Sequence, residues 1–263
     1  MIPGRGPTFV RANTRGETRR TSPAYFAASV AQLYSLCFKG TTVSNRTISE
    51  IHFETLCVNR GVMCERIPES TTETADYCVS LGSTMLVAEV KQLDPNDEDK
   101  KMGAVWGTPQ SPGAVAPSDR IQGLLEDGYS QVKRSSEGKR PTMIVVYNNS
   151  GAWNWIDTFT VAKAMFGSYG IVLGLQPDQT IDEIGRGYLG QRKVTKDTFR
   201  SLSAVGVLES GRSEALELCC YHNPFANVPI EPTVLAKIAN AQYVHPNPHE
   251  RGFVSWEPKQ IET

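Results

Sequence analysis

Met85-Leu86-Val87-Ala88-Glu89-Val90-Lys91 is the stretch on which the reading of this chain turns. Four apolar residues run into an acid-x-base triplet. In an extended strand successive side chains alternate faces. Glu89 and Lys91 therefore share one face, while Val90 points into the core. Asp76 stands before a second apolar run, Tyr77-Cys78-Val79-Ser80-Leu81, and Gly82-Ser83 separates the two runs. That spacing predicts a hairpin that carries Asp76 beside Glu89 and Lys91. Two carboxylates and one ammonium at one strand edge form a donor set that can hold a divalent cation and orient a water. Hydrolysis of a phosphodiester requires both.

Upstream, Thr47 and Glu50 have the spacing of a capping box and open a helix over 47–57, with Ile48, Ile51 and Leu56 expected on one face. Residues 24–38 have helix-forming composition, ended by Gly40. Val62 to Ile67 reads as a strand and Pro68 to Ala75 as a turn. Downstream, the Pro-containing segment 93–117 reads as a long loop whose acids Asp94, Asp97, Glu98 and Asp99 form a solvated surface. A helix is expected from Ser118 to about Glu137, with Ile121, Leu124, Leu125 and Val132 inward. Pro141 to Tyr147 is a continuous apolar strand of the kind buried on both faces. Asn148 to Gly151 reads as a turn and Asp157 to Phe166 as a helix. Gly170 to Leu175 reads as another buried strand. A helix over Thr195–Val207, a strand over Glu214–Tyr221, a short helix over Pro232–Gln242 and a Pro-rich tail complete the reading. The expected fold is α/β, a three-layer sandwich around a central mixed sheet.

The order of elements and the placement of Asp76 and Glu89-Val90-Lys91 resemble the PD-(D/E)XK nuclease superfamily, the restriction-endonuclease-like group with an αβββαβ core. The resemblance covers roughly the first 60 per cent of the chain; Ala75 stands where the family has its proline. It implies a metal-dependent endonuclease acting on DNA, in defence, restriction or a mobile element. It implies Mg²⁺ or Mn²⁺ held by Asp76, Glu89, the Val90 carbonyl and a first-helix carboxylate, Glu54 in preference to Glu50. Lys91, Asp76 and Glu89 are then the catalytic residues, and Gln131 takes the family's position on the following helix, ahead of Gln92. A homodimer is a further expectation, since such domains commonly share the cutting of a duplex. The competing readings are a non-catalytic nucleic-acid- or protein-binding module on the same fold, and a surface ion pair between Glu89 and Lys91.

The remaining signals are weaker. Lys133 follows Gln131, and the Gly-rich basic stretch Gly185–Lys193 offers Arg186, Arg192 and Lys193 to a phosphate backbone. His222 at a strand end is a polar cap or a phosphate contact, and Trp153 and Trp155 pack the next helix or stack on bases. No Gly-Lys-Ser/Thr phosphate loop, no Gly-x-Ser-x-Gly elbow, no His-Glu-x-x-His and no paired Cys/His cluster is present. That argues against nucleotide hydrolysis, serine hydrolase chemistry and zinc.

The chain has 263 residues, 40% of them hydrophobic, and a formal net charge of −1, so no global basicity announces a polyanionic partner. Residues 1–24 hold Arg5, Arg11, Arg15, Arg19 and Arg20 against Glu17 and read as a basic flexible arm. Residues 25–180 read as the nuclease-like core and 181–263 as an extension packed on it. Six cysteines without a CxxC pair read as free thiols in a reducing compartment. With no secretory signal and no bilayer-spanning run, the expectation is a cytoplasmic protein with no membrane contact.

Overall fold

A computed structural model describes residues 46–68, 73–105, 117–150, 156–176, 179–210, 215–245 and 257–258, without the side chains of residues 184, 186, 257 and 258. The basic arm, the helix expected over 24–38, Cys37, Trp153, Trp155 and most of the Pro-rich tail lie outside the described residues.

Helix α1 (Ile48–Asn59) starts where the capping box predicts. The Thr47 side chain accepts from the Glu50 N–H, and the Glu50 carboxylate accepts from the Thr47 N–H at 2.6 Å. Such a cap is worth about 1 kcal/mol. The buried face differs from the expected one. Ile48 and Ile51 are exposed, and Phe53, Leu56 and Cys57 are buried together with Glu50 and Glu54. Phe53, Leu56 and Cys57 follow the i, i+3, i+4 spacing that meets a flat sheet. Each large apolar side chain buried there contributes roughly 1.5–3 kcal/mol.

Strands β1 (Met63–Arg66), β2 (Tyr77–Leu81) and β3 (Thr84–Leu93) form the expected antiparallel meander. Helix α2 (Asp97–Val105) corrects the loop reading of 93–117. Asn96 and Asp99 explain it. Their side chains accept from each other's backbone N–H at 2.8 and 2.9 Å, an N-terminal cap that uses Asp99 of the acidic cluster. Asp97 and Glu98 are exposed as expected, while Asp99 is buried and ion-paired with Arg120 at 2.5 Å. Helix α3 (Ser118–Ser136) and strand β4 (Thr142–Asn148) lie where they were read. Helix α4 (Thr158–Phe166) is capped by Asp157, whose carboxylate accepts from the Thr160 N–H at 2.7 Å.

Beyond α4 the expectations diverge from the structure. Strand β5 (Ser168–Leu175) is not buried; it pairs with β6 (Ile181–Leu189) in a separate two-stranded ribbon. The stretch Gly185–Leu189, read as a Gly-rich loop, belongs to β6. The helix expected over Thr195–Val207 is instead irregular chain leading into β7 (Ala204–Ser210), whose β-branched Val205 and Val207 are buried on the sheet. Strand β8 (Leu216–His222), the single turn α5 (Pro232–Leu235), β9 (Ala241–Val244) and β10 (Glu257–Pro258) follow.

The main sheet has eight strands in the order β1-β2-β3-β4-β7-β8-β9-β10. It is mixed, with β3, β4 and β7 parallel to one another and the flanking pairs β2–β3 and β7–β8 antiparallel. The fold is therefore α/β with a central mixed sheet. The boundary expected at residue 180 falls between the ribbon strands, and β7 to β10 continue the same sheet as β1 to β4. Residues Arg46–Thr263 form one compact unit.

Alternation along the strands splits the core in two. Leu86, Ala88, Val90, Met143, Val145 and Leu208 face α1, whereas Val87, Ile144, Val146, Val205 and Val207 face α3 and α4. The parity puts Glu89 and Lys91 on the α3 side, at positions where an apolar residue would otherwise complete the layer. Among the described residues the five cysteines are free, and no helix is long and apolar enough to cross a membrane.

Candidate active site at the parting of β2 and β3

The antiparallel ladder of β2 and β3 ends at the Tyr77–Ala88 pair. Upstream of it the chain turns away toward α3, where the Ala75 N–H donates to Ser135 Oγ at 2.8 Å. On the other side the Ile67 N–H donates to the Asp76 carbonyl at 2.8 Å, extending the β1 contact by one residue. Asp76 thus sits at a fork, held by its backbone on both sides.

Two side-chain hydrogen bonds replace the missing ladder. The Val90 N–H donates to Asp76 Oδ2 at 2.8 Å, and the Asp76 N–H donates to Glu89 Oε2 at 3.1 Å. The other Glu89 oxygen, Oε1, lies 2.8 Å from Lys91 Nζ, which also donates to Gln131 Oε1 of α3 at 3.0 Å. Asp76, Glu89, Val90, Lys91 and Gln131 are therefore one connected group.

The group is crowded with negative charge and poorly hydrated. Glu89 is 2% exposed. Burial, and then the charge of Asp76, push its carboxyl up to about 7 against the pull of Lys91. Burial also raises the Asp76 carboxyl, and the charge of Glu50 adds to this; the Val90 N–H, Lys91 and Arg66 oppose it. Raised carboxyls next to one another mark a site short of positive charge.

A polar cleft of about 430 Å³ opens beside the group, lined by Glu73, Lys91, Glu126, Asp127, Ser130 and Gln131. Lys91 is its cationic wall. Gly128 lets α3 come close to the sheet, since a Cβ there would stand 3.2 Å from Glu89 Cγ and 3.3 Å from Ile144 Cδ1.

The two acids of the first helix have different partners. Glu54 is buried against other partners, accepting from Tyr77 Oη at 2.9 Å and pairing with Arg46 at 2.9 Å. Tyr77 faces the α1 layer, so this pair lies away from the Asp76 carboxylate. Glu50 is the helix acid whose charge reaches Asp76, and it pairs with Arg66 at 2.9 Å. Gln92 is turned to the helix, where it accepts from the Ser49 N–H at 3.1 Å.

The expected DNA contacts are dispersed. Lys133 is exposed on α3, two residues from Gln131, and Arg192 is exposed beyond the ribbon. Lys193 is ion-paired with Glu126 at the rim of the cleft. Arg186 lies on β6 with its side chain outside the described residues. His222 is buried on β8, hydrogen-bonded to Gln242 at 2.9 Å, remote in the sheet order from β3.

The sequence reading missed Arg66, Gly128 and Ser135. Gly128 carried a signal: it falls between Leu125 and Val132 on the inward face of α3, where a missing side chain marks a close approach. Arg66 and Ser135 stood out by no spacing.

No family model, curated protein or solved structure matches the chain.

Proposed function

We propose that the chain is a metal-dependent nuclease hydrolysing phosphodiester bonds of DNA, with a restriction-endonuclease-like core formed by α1, β1, β2, β3, α3 and β4. One observation carries this reading: Asp76 and Glu89 are hydrogen-bonded into a single acidic group with Lys91 on the same strand edge, beside an open polar cleft.

The donor set fits a hard divalent cation. Asp76 and Glu89 offer carboxylate oxygens and Val90 a carbonyl, the ligand chemistry of Mg²⁺ or Mn²⁺. Among the described residues no three His, Cys, Asp or Glu side chains converge on one point. Mg²⁺ keeps several waters and shares substrate oxygens, so it asks few ligands of the protein. Bound there, it would supply Lewis acidity and a water of lowered pKa.

The chain's own groups do the rest. Lys91, held between Glu89 and Gln131, is a fixed ammonium that orients the attacking water or offsets charge growing on the phosphate. The acids Glu73, Glu126 and Asp127 repel a bare polyanion, so productive approach to this cleft depends on a cation. Lys133, Arg192 and Lys193 supply positive charge for the backbone around it.

The test is cleavage of supercoiled plasmid and single-stranded DNA with Mg²⁺, Mn²⁺ or EDTA, using wild type and the Asp76→Ala, Glu89→Ala and Lys91→Ala variants. Metal-dependent cutting lost in all three variants supports the proposal. No cutting by wild type on any substrate, or cutting that survives Glu89→Ala, sinks it.

A further inference from the structure

Past Gln131, α3 carries Lys133 and Arg134 in its last turn, and the turn that follows carries Lys139 and Arg140; all four are exposed. Arg134 donates to the carbonyl of Glu73, a residue that lines the cleft, so this group begins where the candidate active site ends. A second segment, distant in sequence, meets it there. Phe199 stacks on Tyr129 of α3 at 4.1 Å, one helical turn before Lys133, and the Ser201 N–H donates to Tyr129 Oη at 3.4 Å. The Ser201 carbonyl accepts from Thr142 Oγ1 at 2.5 Å, and the Thr142 N–H donates to Ser203 Oγ at 2.8 Å. Arg140, just before Thr142, and Arg200, just before Ser201, therefore flank the adjoining starts of the parallel strands β4 and β7. Arg200 is exposed like the others.

Five cations are thus gathered around the end of α3: Lys133, Arg134, Lys139, Arg140 and Arg200. The neighbouring acids do not balance them. Among the described residues Glu137 pairs with Lys139 at 3.6 Å through side chains that are both mostly exposed, and Asp197 follows a further cation, Lys196. Lys133 and Arg134 complement the α3 dipole, but that field fades beyond the last turn and leaves Lys139, Arg140 and Arg200 unexplained. The chain as a whole has a net charge of −1, so this is local segregation of charge and not general basicity. Like charges collected on one surface raise a positive potential that draws a polyanion.

We propose that this surface holds the phosphate backbone of the nucleic-acid substrate where it leaves the cleft. The inference rests on the nuclease reading for what happens to the strand at Lys91. Position favours this partner. Within the cleft Glu126 and Asp127 lie toward the start of α3, and Lys133 and Arg134 continue past Gln131 toward its end. A polyanion with one phosphate at Lys91 is repelled on the first side and held on the second. The planar guanidinium forks of Arg134, Arg140 and Arg200 match phosphate oxygens. A lipid surface fits less well. Among the described residues the exposed large apolar side chains lie on α1, β1, the β2–β3 hairpin, α4 and the ribbon, with none on either basic segment to enter a membrane. Phosphate contacts carry no base information, so the surface positions the strand without selecting its sequence.

The experiment is fluorescence anisotropy of a labelled DNA duplex with the full chain in EDTA across a salt series, which reads binding without cleavage. The surface lies outside the acidic cleft, so binding to it needs no metal. Wild type is compared with a variant carrying Arg140→Ala and Arg200→Ala. A second variant, with Lys100→Ala and Lys101→Ala on α2, removes two exposed cations elsewhere as a control. Circular dichroism verifies that each variant is folded. The arginine variant should bind about tenfold more weakly or worse, and its log–log salt slope should fall by about 2, one for each lost phosphate contact. The lysine control should keep the wild-type slope. The proposal is overturned by a wild type that does not bind, an arginine variant that binds like wild type, or a control that loses as much. Polyglutamate that displaces the duplex as well as unlabelled DNA does would also overturn it. Cleavage is scored separately. A wild type that binds through this surface and never cuts sinks the nuclease reading and leaves the surface standing. A wild type that cuts while the arginine variant binds unchanged does the reverse.

Discussion

Asp76 and Glu89 hold each other in place: the Asp76 N–H binds the Glu89 carboxylate, and the Asp76 carboxylate binds the N–H of Val90, the residue after Glu89. Each acid therefore stabilises the strand edge that presents the other. Structure and charge separate cleanly at this position. Asp76→Asn keeps an acceptor for Val90 and removes the charge, whereas Asp76→Ala leaves the Val90 N–H without its acceptor. By chemical denaturation Asn should fold nearly as well as wild type, and Ala should lose about 1–3 kcal/mol. Both should lose Mg²⁺-dependent cleavage. If Asn and Ala destabilise equally, the Val90 hydrogen bond contributes nothing.

The Glu89 carboxyl gives the fold a pH dependence of defined sign. It is raised from its ordinary 4.5 to about 7 in the folded chain. Between those values the folded chain binds more protons than the unfolded one, so this group makes stability fall as pH rises. Above about 7 its contribution is level. In EDTA, wild type should lose roughly 1–3 kcal/mol more than Glu89→Gln between pH 4.5 and 8. Denaturant midpoints across that range measure the difference, and parallel curves would show that folding leaves the Glu89 carboxyl at its ordinary value. Mg²⁺ should flatten the wild-type curve by favouring the carboxylate.

Lys91 is a compact ammonium fitted between Glu89 Oε1 at 2.8 Å and Gln131 Oε1 at 3.0 Å. A planar guanidinium does not reproduce that point contact. Lys91→Arg should keep the charge and still reduce cleavage by about a hundredfold or more, the scale of one lost electrostatic contact in a transition state. Gln131→Ala removes only the second support from a half-buried site. Stability should change by no more than about 0.5 kcal/mol, while the cleavage rate falls severalfold. An unchanged rate in Gln131→Ala would remove Gln131 from the site.

The approach of α3 to Glu89 depends on Gly128. The nearest atoms, Glu89 Cγ and Ile144 Cδ1, belong to buried residues with little room to give. Gly128→Val adds a branched side chain there and should destabilise by about 1–3 kcal/mol through overpacking. Gly128→Ala gains helix propensity of about 1 kcal/mol against a milder clash, so stability should change little. Its cleavage rate should still fall, because the added methyl presses on Glu89. A fully active Gly128→Val would show that Glu89 tolerates displacement.

The residues that were legible from sequence are those governed by local rules. The Thr47–Glu50 capping box, the Asp76 and Glu89-Val90-Lys91 juxtaposition and the buried strand at β4 follow from spacing and alternation alone. The ribbon and β7 did not. Gly170 to Leu175 has the composition of a buried strand, yet among the described residues it pairs with β6 alone, and nothing in its composition separates that hairpin from a place in the main sheet. Val205 and Val207 sit in a stretch of mixed propensity, and their burial beside β4 decided the strand. The helix at Asp97 is hidden because its cap pairs Asn96 with Asp99, one of the acids that read as a solvated run. Ile48 and Ile51 are apolar yet exposed, because the helix turns the face of Phe53, Leu56 and Cys57 to the sheet.

Glu50 and Glu54 differ in role although they lie one helical turn apart. Glu54 accepts from the Tyr77 hydroxyl inside the α1 layer, so Glu54→Gln should cost about 1–3 kcal/mol, from a buried hydrogen bond and the pair with Arg46. Its effect on Mg²⁺ affinity should be small. Glu50 is the helix acid whose charge reaches Asp76, and it is tied to Arg66 and to the Thr47 cap. Glu50→Gln preserves an acceptor for the cap and removes the charge acting on Asp76, so it should weaken Mg²⁺ binding at a smaller cost in folding. Titration calorimetry with Mg²⁺, set beside denaturation of both variants, separates the two. The assignment of Glu50 to the site fails if Glu54→Gln weakens Mg²⁺ binding and Glu50→Gln does not.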